Sequence, residues 1–260
     1  MATALAGKWV LITGASSGFG AAAAMAFGAQ GAKLLLGARR RERLEETAAA
    51  AQKAGAPEAH AQALDVAQTA SVEAFAAWVR TKCSQVDVLI NNAGGAHGLD
   101  PVAKGRDEDW EAMIQSNVLG LLRVTRAVLP LMQNNTGATI LNIGSIAGQT
   151  AYEGGAVYCG AKAAERLITQ TLRLELNGTG IRVGSVNPGL AETEFSNVRF
   201  KGDTARAERV YEGTIPLVAQ DIAEALVWIA SRPAHVNIDE LVIKPTDQAA
   251  IHKVHRRLKK

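Results

Sequence analysis

Short apolar runs alternate with longer amphipathic stretches along this chain. The apolar runs predict strands at 9–13, 33–38, 59–64, 86–91, 138–144, 182–187 and 240–244. The stretches between them carry helical spacing at 18–30, 40–54, 69–82, 107–133, 155–177 and 219–231. Strands alternating with helices predict βαβ units and a parallel sheet, and right-handed crossovers place helices on both faces. Leu34-Leu35-Leu36 and Val88-Leu89-Ile90 are continuous apolar runs, as expected of strands covered on both faces. By contrast, 59–64 alternates, which marks a half-exposed edge. In the strand order 3-2-1-4-5-6 the third strand is the edge. The expectation is one doubly wound, Rossmann-like α/β domain over 1–260, with a mostly parallel seven-stranded sheet. One segment, 188–215, breaks the rhythm with Pro188, Gly189, Gly202 and Gly213. An insertion after a strand end is where such folds keep substrate loops.

Composition narrows the class. The 260 residues carry a net charge of +3, too small to argue for nucleic acid. Arg39, Arg40, Arg41 and Arg43 form one basic knot, and Lys253, His255, Arg256, Arg257, Lys259 and Lys260 another, within the tail at 246–260. A terminal charge block reads as a solvated, mobile end. The two cysteines, Cys83 and Cys159, give no disulfide framework and no metal spacing. The N-terminal residues lack a signal-peptide layout. No apolar run approaches the roughly 18 residues of a membrane helix. These features predict a cytoplasmic protein with no membrane or nucleic-acid partner.

Chemistry concentrates at the predicted strand ends. Thr13-Gly14-Ala15-Ser16-Ser17-Gly18-Phe19-Gly20 follows a strand and opens a helix. Glycines there permit a tight turn and let backbone approach a pyrophosphate, while the helix N-terminus offers free N–H groups. The second strand ends in Ala38-Arg39-Arg40 where NAD enzymes usually place a carboxylate for the ribose 2′-hydroxyl. A guanidinium grips a 2′-phosphate, so NADP(H) is favoured. Asp65, in Leu64-Asp65-Val66, fits either an acceptor for the adenine amino group or a helix cap. Asn91-Asn92-Ala93-Gly94 ends the fourth strand and so lines the same crevice.

Tyr158 and Lys162 stand at i and i+4 of a predicted helix and share one face. A tyrosine hydroxyl is ordinarily a poor acid at neutral pH, and a nearby ammonium favours its phenolate. Ser145, at a strand end thirteen residues before Tyr158, is placed to hold a substrate oxygen. Asn117 lies in an apolar helix and needs a partner, which a bound water or Lys162 would supply. No metal-ligand pattern is present.

These residues resemble the short-chain dehydrogenase/reductases. The resemblance runs from Thr13-Gly14 to Pro188-Gly189-Leu190-Ala191-Glu192-Thr193 and implies a tetrad of Asn117, Ser145, Tyr158 and Lys162. It implies that Tyr158 exchanges the proton, Lys162 binds the nicotinamide ribose, Ser145 orients the carbonyl and Asn117 holds a relay water. The implied cofactor set is Gly14, Ser16, Ser17, Gly18, Phe19, Gly20, Arg39, Arg40, Asp65, Val66, Asn92, Ala93, Gly94, Tyr158, Lys162, Pro188, Gly189 and Thr193. It also implies a homotetramer packed through the long helices, and a tail that reaches a neighbouring subunit.

Within the family, the segments 193–203 and 232–238 are similar to the NADP-dependent 3-hydroxy acid dehydrogenase subgroup. That implies a small anionic substrate of the serine or 3-hydroxypropionate type, interconverted with its semialdehyde or keto form. Arg199 then either clamps the anion or pairs with Glu192, Glu194 or Asp203. Two other substrate readings stay open on the same scaffold: a sulfoacetaldehyde, or a neutral ketone or 3-oxoacyl thioester. A non-catalytic NADP-binding protein is the reading from another class, though such proteins typically lose part of the tetrad. Glu153 and His97 are individual to this chain, and an inward Glu153 would repel an anion.

Overall fold

The fold follows from a computed structural model that describes residues 3–133 and 135–257. Seven strands form one sheet: β1 (Trp9–Thr13), β2 (Lys33–Ala38), β3 (Ala59–Ala63), β4 (Val88–Asn91), β5 (Thr139–Ile143), β6 (Arg182–Pro188) and, after a long excursion, β9 (Glu240–Ile243). Their order is β3-β2-β1-β4-β5-β6-β9, and every pairing is parallel. No residue of β3 is fully buried, and the alternation read from 59–64 is that of an edge strand.

Helices cover both faces. On one side α1 (Gly18–Ala29), α2 (Arg41–Ala54) and α9 (Ala219–Ala230) pack Phe27, Leu44 and Leu226 onto Val10 and Ile12. On the other, α3 (Thr69–Lys82), α5 (Gly120–Val128) and α6 (Ala156–Glu175) pack Phe75, Val124 and Leu172 onto Leu11 and Leu89. Successive residues of β1 thus enter opposite layers, because strand side chains alternate.

The stretch expected as one helix over 107–133 is interrupted. α4 (Asp107–Ile114) gives way to a π-type turn at Gln115–Leu119, α5 follows, and a 3₁₀ turn at Leu129–Leu131 ends it. Gly120 donates its N–H to Gln115 O, five residues back. A π turn inserts one residue and re-aims the side chains around it, and the residue re-aimed here is the buried Asn117.

The segment 188–215 holds β7 (Ala191–Glu192), α7 (Phe195–Arg199) and α8 (Thr204–Arg209), and β7 pairs in parallel with β8 (Leu217–Val218). The tail is not a mobile end over its described residues. β10 (Gln248–Ala250) and β11 (Lys253–Val254) form a hairpin. Arg257 then grips Asp247 through two bonds of 2.8 and 3.0 Å, and its N–H donates to Gly213 O at 2.7 Å. Arg256 donates to the carbonyls of Glu212 and Val210. Arg256 and Arg257 therefore fold onto the chain's own 210–213 stretch, because neighbouring carbonyls and one carboxylate satisfy them. Lys259 and Lys260 lie outside the described residues.

Close packing of β6 against the turn before β9 gives a test. A Cβ on Gly184 would stand 2.1 Å from the backbone oxygen of Ile238. Gly184→Ala should destabilise the protein by about 1–3 kcal/mol, the usual cost of overpacking. Urea unfolding checks it, and an unchanged midpoint would mean that the two segments separate easily.

Candidate active site

The order of the sheet reverses at β1, with β2 and β3 on one side and β4 onward on the other. The loops after β1 and β4 therefore part and leave a crevice at the carboxyl ends. Thr13 and Asn92 hold its floor. Thr13 Oγ accepts N–H bonds from Asn92 and Ala93, both at 3.0 Å. Asn92 Nδ2 donates back to the carbonyls of Thr13 (2.9 Å) and Gly14 (3.2 Å). The Asn92 side chain is thus committed to the glycine loop. Gly14 has φ +67°, and a Cβ on it would lie 2.8 Å from Asn92 Nδ2, so both its backbone and its surroundings require glycine. Gly20 is equally enclosed, with Gly14 O 2.5 Å from a hypothetical Cβ. Gly18 faces Thr193 across the crevice, and Phe19 packs on the core.

The first N–H groups of α1 receive no side-chain cap, and its first turn holds no acidic residue. Such an end attracts an anion. Beside it, Arg40 donates to Ser17 Oγ at 2.6 Å and to Ser16 Oγ at 3.3 Å. The donor set (free helix N–H groups, two hydroxyls and a guanidinium) fits the phosphates of a dinucleotide carrying a 2′-phosphate. Arg39 is exposed. Asp65 holds its own turn: its Oδ1 accepts from Ala67 N at 3.0 Å, while Gln68 occupies the cap position of α3. Val66 supports α5 at Gly120, where a Cβ would come within 2.7 Å of it.

Asn117 is partnered by backbone groups and not by Lys162. Its Nδ2 donates to Gly95 O (2.9 Å) and Met113 O (2.8 Å), and its Oδ1 accepts from Gly95 N (3.2 Å). The polar residue is satisfied by the loop after β4, and Gly94 must be glycine to admit it, with Asn117 Oδ1 2.5 Å from a hypothetical Cβ. Ser145 begins a 3₁₀ turn at Ile146–Gly148 that packs on α6, and its Oγ accepts from Ala147 N at 3.1 Å. Its hydroxyl proton stays available for another acceptor.

Tyr158 is buried on α6 in a small apolar cluster with Met113, Ala147 and Cys159. Phe195 packs on its ring at 5.6 Å, and the Arg199 guanidinium carbon lies 5.7 Å from the ring centre. Lys162, one turn on, is buried and donates to Ile143 O and Glu165 Oε2, each at 2.7 Å. Burial by itself would pull the Lys162 ammonium down; the charges of Glu165 and Tyr158 and the Glu165 bond outweigh it and hold it above the ordinary lysine range. Burial pushes the Glu165 carboxyl up, and Lys162 draws it partly back. Glu165 Oε1 has no hydrogen-bond partner among the described residues. Sequence reasoning missed Glu165, although its place three residues after Lys162 on one helix face was a readable signal.

A cleft opens beside Tyr158, lined also by His97, Asp109, Trp110, Met113 and Arg199. Arg199 pairs with none of the expected carboxylates. It donates to Gly98 O at 3.1 Å and Tyr152 OH at 2.7 Å. Asp203 instead caps α8 through Arg206 N. Burial pushes the Tyr152 hydroxyl up to about 12, with Arg199 opposing, so it stays protonated. Burial holds His97 below the ordinary histidine range, partly offset by Asp109. Glu153 is exposed. Pro188 closes β6, and the Gly189–Leu190 turn is fixed by Gln248, whose Oε1 accepts from Leu190 N at 2.7 Å; this anchor lies far along the chain and gave no local signal. Thr193 Oγ caps the turn into α7 through Phe195 N at 3.2 Å. Glu194, next in sequence, crosses the crevice to Arg40 (2.8 Å) and Arg43 (2.5 Å).

Comparison with known proteins agrees with this arrangement. The family model for short chain dehydrogenases matches residues 8–203. An NADP-dependent 3-hydroxy acid dehydrogenase of Escherichia coli strain K12 is 43% identical over 250 residues, covering 95% of this chain and 99% of that protein. A sulfoacetaldehyde reductase of Chromohalobacter salexigens is 46% identical over 241 residues, covering 92% and 94%. The closed form of a serine dehydrogenase complexed with NADP⁺ superposes with TM-score 0.89 at 43% identity, covering 96% of this chain and 100% of the other.

The buried ion pair gives the test for this region. Glu165→Ala leaves an uncompensated buried ammonium and should cost about 3–5 kcal/mol, whereas Lys162→Met with Glu165→Leu should recover most of it. Urea-unfolding midpoints of the two variants and the parent decide the matter. Equal midpoints for Glu165→Ala and the parent would show that the pair is not coupled.

Proposed function

The chain belongs to the short-chain dehydrogenase family, and from that premise we propose that it is an NADP(H)-dependent oxidoreductase of a small 3-hydroxy acid. The substrate class is of the serine or 3-hydroxypropionate kind, interconverted with the semialdehyde or keto form. The observation that carries this reading is the Arg199 guanidinium beside the Tyr158 ring in one cleft. A cation over the ring of the reacting tyrosine favours a small substrate that carries an anionic group near its alcohol. The NADP⁺-bound serine dehydrogenase and the 3-hydroxy acid dehydrogenase among its relatives support the same assignment.

The glycine loop with Gly14, Gly18 and Gly20, the first turn of α1, Ser16, Ser17 and Arg40 would hold the cofactor's phosphates, and Arg39, Asp65, Val66, Asn92, Ala93, Gly94, Pro188, Gly189 and Thr193 would complete its site. When bound, NADP(H) supplies the hydride that the reaction exchanges. Ser145 Oγ, already accepting from Ala147 N, donates a hydrogen bond that holds and polarises the substrate oxygen without losing its proton. Tyr158 gives its hydroxyl proton to that oxygen in reduction and takes it back in oxidation. Lys162, buried one turn from Tyr158 on the same helix, would bind the nicotinamide ribose. Asn117 holds the loop after β4 against the site and orders a relay water. Arg199 orients the anion. The segment 188–215 is the substrate loop.

A second substrate reading has its own support. Sulfonates present the same oxygen array to a guanidinium, and a sulfoacetaldehyde reductase is among the relatives. Assembly as a homotetramer is part of the proposal. Leu167 and Leu174 stand two turns apart on one face of α6, exposed at 63% and 78%, which an interface would bury. Light scattering should return the mass of four chains. A reducing cytoplasmic setting agrees with two free, buried cysteines.

Tyr158→Phe should lower turnover by at least ~100-fold, the low end for general acid–base catalysis, with NADP⁺ affinity retained; near-normal turnover would refute its role. Arg199→Ala should raise KM for anionic substrates by roughly 10- to 100-fold, as for a lost charge-assisted bond. Initial rates give both, and an unchanged KM removes the anion clamp.

A further inference from the structure

Arg40 is surrounded by oxygen. Two of its nitrogens bond Ser16 and Ser17, and the third, Nη1, bonds Glu194 Oε2 at 2.8 Å. Arg43, one turn into α2, directs its Nη1 to the other oxygen of the same carboxylate at 2.5 Å. Glu194 comes from the far wall of the crevice, where it immediately precedes α7. Its side chain does not cap that helix; it reaches instead to the start of α2. A single carboxylate therefore bridges the two guanidinium groups beside the glycine loop.

We propose that Glu194 is a specificity-determining residue that competes with the cofactor's 2′-phosphate for the Arg40–Arg43 pair, so that a 2′-phosphorylated nucleotide detaches the start of α7 and a nucleotide with a free 2′-hydroxyl does not. The inference rests on the NADP(H) reading above. Two anions on one pair of cations repel each other at a few ångströms, so carboxylate and phosphate do not share the clamp. The phosphate brings more charge and three acceptor oxygens and so displaces the carboxylate. The side chains of the ion pairs it replaces are 39–51% exposed, and exposed pairs are weak. The displaced element matters because α7 also carries Phe195, which packs on Tyr158, and Arg199, which reaches Gly98 and Tyr152. Occupancy of the clamp and the wall of the substrate cleft are thereby mechanically connected.

Calorimetric titration of the full chain with adenosine 2′,5′-bisphosphate and with 5′-AMP tests the proposal without turnover. Glu194→Gln should bind the bisphosphate about three- to tenfold more tightly, the range for losing weak competing ion pairs, and 5′-AMP with unchanged affinity. Hydrogen exchange at the amides of Val198 and Phe200 should rise when the bisphosphate is added to the parent protein, and stay constant with 5′-AMP. Unchanged or weaker bisphosphate binding by Glu194→Gln overturns the proposal. If the parent protein binds both nucleotides equally and Arg40→Ala changes neither, the NADP(H) reading itself falls, and the proposal with it.

Discussion

The stitch between the ends of β1 and β4 is the constraint on which the site depends. Thr13 Oγ accepts from the backbone N–H groups of Asn92 and Ala93, and the Asn92 side chain donates to the carbonyls of Thr13 and Gly14, four hydrogen bonds across the point where strand order reverses. That reversal creates the crevice, and the stitch sets its floor. With Asn92 pulled in, only glycine fits at 14 and 20. The loop then turns tightly enough to aim the uncapped end of α1 into the opening. The loop that follows Asn92 carries Gly95 onto Asn117, which fixes the π-type turn in the neighbouring helical stretch. A second polar chain runs beneath: Asn91 bonds Thr125 and Asn142, and Asn142 bonds Thr169 on α6. The helix bearing Tyr158 and Lys162 is thus referenced to the strands by buried hydrogen bonds, which are costly to break.

Charge is arranged around this frame in three places. At the inner end, Lys162 is compensated by Glu165 and anchored to Ile143. At the outer end, Arg40 and Arg43 share one carboxylate with α7. Between them Arg199 faces Tyr158, its guanidinium held by neutral acceptors only. That last difference is chemical. A guanidinium bonded to a carbonyl and a protonated hydroxyl keeps its charge uncompensated and available to an anion, whereas the Lys162 ammonium is matched by the Glu165 carboxylate.

Much of the fold was legible because each strand signal is local. Apolar runs such as Leu34–Leu36 and the alternation at 59–64 need no knowledge of partners. The Tyr158–Lys162 spacing and the glycine loop were readable for the same reason. What escaped depends on contacts between distant segments. The interruption at 115–119 follows from Asn117 bonding Gly95, which periodicity alone does not reveal. The tail looked like a charge block because its acceptors, Asp247 and the carbonyls near Gly213, are made by the fold. Gln248 on the Gly189–Leu190 turn and Glu194 on the arginines are links of the same long-range kind. For Arg199 the sequence leaves an anion clamp and a neighbouring carboxylate as alternatives, and the structure turns its side chain toward Tyr152 and Gly98 rather than to Glu192, Glu194 or Asp203.

The central claim is oxidation of an anionic hydroxy compound with the 2′-phosphorylated cofactor. It is tested most directly by initial rates of NADP⁺ reduction with L-serine, D-serine, 3-hydroxypropionate, 3-hydroxyisobutyrate, isethionate and a neutral secondary alcohol, each repeated with NAD⁺. Turnover of one or more of the anionic compounds, with NADP⁺ strongly preferred, is the predicted result. Turnover of the neutral alcohol alone, or equal rates with NAD⁺, would contradict it.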